Sequence, residues 1–414
     1  MKKYWIALMA IMLVVTVLAI PSYAVGEQGA AAGFKDVKSG YWAKAQIEQA
    51  VAKGYVSGFP DGTFKPEEKV SRAQFMRMLA DALKLPHVEQ GSPWYQPYVA
   101  ALVESGIHKT SDFYAQYDSS LSRLEMVKLA VRASVAGIDT KPNAGDDNWL
   151  VFIGTQSGIL AGTGAGKLDL KGTSTRAQAV AIIERILGVS EGKKLPVDKY
   201  AMSSAELAWH RTNVFTVMPE FFRTQYPYEV KQGVDPIYKW DVSNMTLEPK
   251  DGKYKGRINR VVAIDMADPK DPNRYLLGDI NKLQWYGNGL IENGVAEGFP
   301  LKLQTNSYVL YFDGRLEFNK DTKLYSNSMP SFGVTGAIPT INQKKGFREG
   351  HLNQPARVFI KGISDFPAGV IPKKTEVKYD SLVLQIFTPS YMGVEGQTNV
   401  IVDVAGPGNI YFIP

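Results

Sequence analysis

Three arginines follow a small hydroxyl residue at near-constant spacing, in Ser71-Arg72-Ala73-Gln74, Ser122-Arg123-Leu124-Glu125 and Thr175-Arg176-Ala177-Gln178. The arginines lie 51 and 53 residues apart. Ser or Thr followed three positions later by Gln or Glu is a capping box, in which two backbone donors are satisfied reciprocally. Each arginine therefore falls in the first turn of a helix, where the dipole is positive and a cation is disfavoured by roughly 0.3–1 kcal/mol. The free N–H groups of such a turn are an anion site. A guanidinium beside them makes a bidentate receptor for a carboxylate. Hydrogen bonds to a charged group contribute about 1.5–3 kcal/mol each, which exceeds the dipole penalty. The same arginines would also serve as staples, each paired with an acidic side chain of the neighbouring copy.

The elements that must position these residues repeat with them. At offsets of 3, 6, 7, 10 and 11 from each arginine lie Phe75, Met78, Leu79, Ala82 and Leu83, then Met126, Leu129, Ala130, Ala133 and Ser134, then Ala179, Ile182, Ile183, Ile186 and Leu187. This spacing is one face of an amphipathic helix. Upstream, Trp42 leads a shorter helical pattern through Ile47, Ala50 and Val51 to Gly54, and Trp94 leads one through Val99, Leu102 and Val103 to Gly106. Gly54, Gly106 and Gly158 precede their arginines by 18, 17 and 18 residues and suit helix stops. Each unit is helix, glycine, loop, capped helix. One unit cannot bury its own apolar face, so three are expected to pack together.

Residues 34–190 resemble three S-layer homology repeats, over approximately 34–85, 92–136 and 146–188. The first copy carries the fullest pattern: Phe34-Lys35-Asp36-Val37, Tyr41-Trp42-Ala43, Gly58-Phe59-Pro60-Asp61-Gly62-Thr63-Phe64-Lys65-Pro66 and the Ser-Arg-Ala-Gln box. The resemblance implies an all-α pseudo-threefold trefoil around a central three-helix bundle. It implies noncovalent attachment to a cell-wall glycan, usually an anionic secondary polymer with pyruvylated sugars, sometimes peptidoglycan. Three weak sites on one domain would give avidity on a repeating polymer. The second copy lacks the Pro-Asp-Gly-Thr-Phe loop and has Leu124 in place of alanine, and the third lacks a Phe-x-Asp opening. If any groove has lost binding, the second or third is the one expected to have done so.

Arg72, Arg123 and Arg176 are the leading glycan-binding candidates. Trp42, Trp94 and Trp149 could stack on sugar rings or pack between repeats, although Trp149 stands only nine residues before Gly158, against twelve for the others. Asp36 would accept sugar hydroxyls or fix its loop, and Lys65 would add a second cation or remain solvated. Gly162-Thr163-Gly164-Ala165-Gly166-Lys167 resembles a phosphate loop, but Leu168 replaces the required Ser/Thr and Ala161 the first glycine. It reads as the third repeat's loop. Gly58 to Lys65 has one aspartate, too few acidic ligands for a calcium loop.

Composition sets the context. Lys2 and Lys3, the apolar run Ile6–Ile20 and the small residue Ala24 read as a signal peptide over 1–24, followed by a linker over 25–33. The run is short for a bilayer span, and no membrane contact is expected after cleavage. Net charge is +6, or +4 without Lys2 and Lys3, which is too mild for a nucleic-acid partner. The chain has no cysteine, so disulfides, thiolate zinc sites and cysteine nucleophiles are excluded. No cofactor and no metal site is expected.

A linker over 191–200 separates the repeats from residues 201–414, which read as a β-rich sandwich or barrel. Tyr308–Phe312 and Arg315–Phe318 flank Asp313-Gly314, a hairpin signal. Val261–Ile264, Arg357–Ile360, Ser381–Phe387 and Val400–Val404 read as strands, and Glu206–His210 as part of a short helix. Asp265, Asp268 and Asp271 form an acidic set beside two prolines, which reads as a turn. Tyr226, Tyr228, Tyr238, Trp240, Trp285 and Tyr286 would line a binding surface or fill a core. No catalytic motif stands out, although two carboxylates suffice for a glycosidase and sequence spacing does not reveal them. The expectation is a secreted, wall-attached S-layer or S-layer-associated structural protein of a Gram-positive-type bacterium, with other surface-layer subunits as further partners. The alternative is a wall-tethered glycan hydrolase or esterase.

Overall fold

The computed structural model describes residues 33–88, 90–222, 239–286, 291–292, 295–296, 298–338, 346, 349–360, 366–377 and 382–403. The expected signal segment and Tyr226, Tyr228 and Tyr238 lie outside these residues. Among the described residues no helix is long and apolar enough to cross a membrane.

The N-terminal part is helical. Each copy supplies a leading helix and a capped helix: α1 (Lys44–Ala52) and α2 (Arg72–Ala82), α3 (Gln96–Glu104) and α4 (Arg123–Ser134), α5 (Asp147–Gln156) and α6 (Arg176–Ser190). All three capping boxes form, on Ser71, Ser122 and Thr175. Gly54, Gly106 and Gly158 stop the leading helices in the left-handed region, at φ of 80°, 75° and 75°, a conformation that glycine alone adopts without strain.

The copies close on one another in a cycle. Val70 N–H donates to the Ser174 carbonyl (3.1 Å), Ser174 N–H to Leu121 (2.9 Å), and Leu121 N–H back to Val70 (2.9 Å). Each capped helix also gives its first two N–H groups to the next copy's loop. Arg72 and Ala73 donate to Ser119 and Tyr117, Arg123 and Leu124 to Gly172 and Leu170, and Arg176 and Ala177 to Glu68 and Pro66. These donors would otherwise be orphans of the helix start. Each leading helix packs on the capped helix of the preceding copy: α3 on α2, α5 on α4, and α1 on α6. Phe75, Leu79, Leu129, Ile182 and Ile183 of the predicted stripes are all buried in one shared core.

Two further helices, α7 (Lys199–His210) and the single turn α8 (Val214–Val217), lead into antiparallel sheets. The strands are β1 (Thr246–Leu247), β2 (Tyr254–Asp265), β3 (Leu283–Tyr286), β4 (Ile291–Glu292), β5 (Val295–Ala296), β6 (Phe299–Pro300), β7 (Ser307–Asn319), β8 (Ser331–Thr335), β9 (Ala356–Ile360), β10 (Ala368–Pro372), β11 (Val383–Phe387) and β12 (Thr398–Asp403). Among the described residues they form a seven-stranded sheet ordered β1-β2-β7-β10-β9-β3-β6, a three-stranded sheet β12-β11-β8 and the pair β4-β5. Ile258, Val261, Leu310 and Phe312 of the large sheet share a core with Phe332, Leu384, Ile386 and Ile401 of the smaller one. Phe312 and Phe332 stack across it at 3.9 Å. On the other face Val262, Ile264, Val309, Val358 and Val370 pack with Leu277, Trp285 and Leu301. This two-faced burial explains the unbroken apolar run Val261–Ile264.

Asp313-Gly314 is not a hairpin. The two residues lie inside the continuous strand β7, opposite a bulge in β2, where Ile258 faces Gly314 and Arg260 faces Asp313. Glycine is required there by close approach: a Cβ would fall 2.7 Å from Ile258 Cδ1 and 2.9 Å from the Arg257 carbonyl. Asp313 is held instead by Arg260, Nε to Oδ2 2.8 Å.

Candidate glycan-binding site

Each arginine of the series reaches across to the next copy, to Glu125 and Gln116 from Arg72, to Ala161 from Arg123, and to Phe64 and Ser57 from Arg176. The three guanidiniums meet different surroundings. Arg72 Nη2 donates to Glu125 Oε1 at 2.6 Å, and its Nη1 to the Gln116 carbonyl at 2.9 Å. It also lies over the Phe113 ring. Arg176 donates from Nε to the Phe64 carbonyl (3.0 Å) and from Nη2 to Ser57 (3.1 Å), between the Phe59 and Phe64 rings. Arg123 is 9% exposed. Its Nη2 donates to the Ala161 carbonyl at 2.6 Å, and its Nε–H is buried without an acceptor.

The groove of Arg123 opens into a cavity of about 350 Å³, the size of a small-ligand pocket. Its walls include Arg123 and Met126 of α4, Gln178 and Arg185 of α6, the third copy's loop at Ala161–Thr163, and Trp42. Arg185 donates from Nη1 to the Ile159 carbonyl at 3.1 Å. Neither Arg123 nor Arg185 has a carboxylate within ion-pair distance among the described residues, whereas Arg72 does. Burial pulls the Arg123 guanidinium below its usual range, and repulsion from Arg185 adds to this, with Asp169 acting the other way. Burial lowers Arg185 likewise, opposed by Asp198. Both remain charged at neutral pH. Two like charges in one half-dry cavity are mutually destabilising, and an anion between them would relieve the repulsion.

Of the other candidates, Trp42 is 57% exposed and lines this cavity. Trp94 is 46% exposed, edge-on to Tyr95 and Tyr98, and is not part of the cavity wall. Trp149 is corrected: at 3% exposure it lies in the helical core and offers no ring face to a sugar. Trp42 and Trp94 stand two residues before α1 and α3, and the position two before α5 is Gly145. Asp36 accepts from the backbone N–H groups of Phe64 (2.8 Å) and Lys65 (2.7 Å), so its carboxylate fixes the loop. Lys65 places its ammonium over the Phe59 ring at 4.1 Å.

Arg185 was not evident from the sequence. It stands nine residues after Arg176, where the first copy has Asp81 and the second Arg132. Arg132 is consumed by Asp112, Nη1 to Oδ2 2.7 Å. The available signal was a cation interrupting the apolar run Ile182-Ile183-Glu184-Arg185-Ile186-Leu187.

In the C-terminal part the acidic set is internally committed. Asp265 pairs with Lys373 and Asp268 with Lys199, while Asp271 accepts from backbone N–H groups. Among the described residues no cluster of three acidic or histidine side chains is placed to hold a metal.

Residues 33–76 match the S-layer homology domain. The chain is 32% identical over 178 residues to an S-layer protein of Bacillus thuringiensis subsp. finitimus, covering 38% of this chain and 22% of that protein. It is 31% identical over 178 residues to the S-layer protein sap of Bacillus anthracis, 38% of this chain and 22% of that one. It is also 27% identical over 176 residues to an exoglucanase of Acetivibrio thermocellus, 37% of this chain and 16% of the enzyme. The chain thus spans about a fifth of the length of the S-layer relatives it matches.

Proposed function

We propose that this chain, which carries an S-layer homology domain over residues 33–76, is a cell-surface protein held noncovalently to an anionic, pyruvylated cell-wall polysaccharide. The hydrogen-bond ring through Val70, Leu121 and Ser174 and the cyclic packing of leading helices support a pseudo-threefold trefoil around α2, α4 and α6. One observation carries the ligand reading: Arg123 and Arg185 share a cavity with Glu67 and an exposed tryptophan, and among the described residues neither guanidinium is in an ion pair, as Arg72 is. A pyruvate ketal supplies a carboxylate for the guanidiniums and a sugar face for Trp42. The likeness to S-layer proteins supports a structural role at the surface.

The test is cosedimentation of the full chain with purified walls before and after removal of pyruvate. Binding lost on stripping supports the reading, and undiminished binding rejects it. The likeness to an exoglucanase keeps a wall-tethered enzyme as the second reading. Turnover of wall glycan or of an ester by the full chain would favour it.

A further inference from the structure

The peptide unit between Ala161 and Gly162 is held from both sides. Its carbonyl accepts from Arg123 Nη2 at 2.6 Å, and its N–H donates to Asp198 Oδ2 at 3.0 Å. Asp198 lies beyond the three copies, at the start of α7, which it caps through Oδ1 to Tyr200 N–H (3.0 Å) and Ala201 N–H (3.1 Å). We infer that Asp198 is a positioning residue for the glycan cavity, acting through the 161–162 peptide to fix Arg123. The inference rests on the cavity being the glycan site.

Independent features support the same junction. Asp198, peptide and Arg123 form a charge-terminated hydrogen-bond chain, in which each bond polarises the next. Close approach of this segment accounts for Gly166 in the loop that resembles a phosphate site, and for Gly158 just before it. A Cβ on Gly166 would fall 2.9 Å from the Tyr200 carbonyl and 3.0 Å from Ser204 Oγ, and one on Gly158 would fall 2.7 Å from Leu195 Cβ. A Cβ on Gly162 would lie 3.1 Å from the Lys167 carbonyl and 3.3 Å from Asp198 Oδ2. The loop is therefore moulded to α7 rather than to a phosphate. From α7 the contact continues into the β-rich part, where Lys199 Nζ and Tyr200 OH meet Asp268 Oδ2 at 2.5 and 2.8 Å. Hydrogen bonds thus run from the cavity wall through α7 into the β-rich part.

Asp198→Asn separates positioning from charge. Asparagine remains a good N-cap, but it has one carbonyl oxygen and cannot both cap α7 and accept from Gly162. Removing a negative charge near Arg185 would by electrostatics alone tighten anion binding. Loss of positioning weakens it. The measurement is calorimetric titration of the full chain with a pyruvylated methyl hexoside, together with hydrogen exchange at the Gly162 amide. Expected are about tenfold weaker binding, equivalent to the loss of one charge-assisted hydrogen bond, faster exchange at Gly162, and unchanged protection of α7. Binding equal to or tighter than wild type overturns the inference. Arg123→Gln is the control: if it binds as wild type does, the cavity reading fails and takes this inference with it.

Discussion

The Arg72 guanidinium ends on the Glu125 carboxylate at 2.6 Å, across the boundary between the first two copies. Glu125 is the third residue of its helix, where the other capped helices have Gln74 and Gln178. An internal carboxylate thus already neutralises the Arg72 guanidinium. Arg72 thus staples two copies together, while Arg123 lines a cavity. Arg72→Ala is therefore expected to leave wall binding within about twofold and to lower stability by about 1–3 kcal/mol, since it strands a half-buried carboxylate. Glu125→Gln keeps the capping box and frees Arg72, so the stoichiometry of a pyruvylated hexoside should rise in calorimetry.

The two tryptophans Trp42 and Trp149 should separate binding from folding. Trp42→Ala removes an exposed ring at the cavity and is expected to weaken wall binding about tenfold with little change in Tm, as for loss of a stacking platform. Trp149→Ala opens the helical core and should cost about 3–5 kcal/mol of stability in denaturant unfolding.

His210 sets an acid limit on stability. Its ring packs edge-on against Trp209 at 3.7 Å, and both ring nitrogens are buried without a hydrogen-bond partner. Burial lowers its pKa from 6.5 to about 4, against a weaker pull from Asp146. The unfolded chain takes up the proton first, so folding stability falls as pH drops from about 6.5 toward about 4. Tm measured across that window should fall less steeply for His210→Phe than for wild type.

Gly314→Val should disrupt the β2–β7 pairing, because its side chain would strike Ile258 and the Arg257 carbonyl. A loss of about 2 kcal/mol or more is expected, read as a lower urea midpoint.

The parts of this molecule visible in the sequence are those fixed by short-range chemistry. Ser71, Ser122 and Thr175 announce their helices because a capping box is complete within four residues. Gly54, Gly106 and Gly158 announce the stops for the same reason. Trp149 misled because the third copy's leading helix starts at Asp147, so the counterpart of Trp42 is Gly145. Asp313-Gly314 misled because a local turn signal cannot report a bulge on a distant strand. Arg185 was hidden because its neighbours in the other copies, Asp81 and Arg132, have different partners. Pairing across copies, as between Arg72 and Glu125, depends on which helix follows which around the cycle, and spacing along the chain does not encode that.

The cavity of Arg123 and Arg185 is the proposed seat of the wall glycan. Its most direct test is cosedimentation with purified, pyruvylated walls, comparing wild type, Arg72→Ala and the double variant Arg123→Gln/Arg185→Gln, each with its helical circular dichroism verified. The double variant is expected to stay in the supernatant while Arg72→Ala pellets as wild type does. Pelleting of the folded double variant at wild-type levels would contradict it.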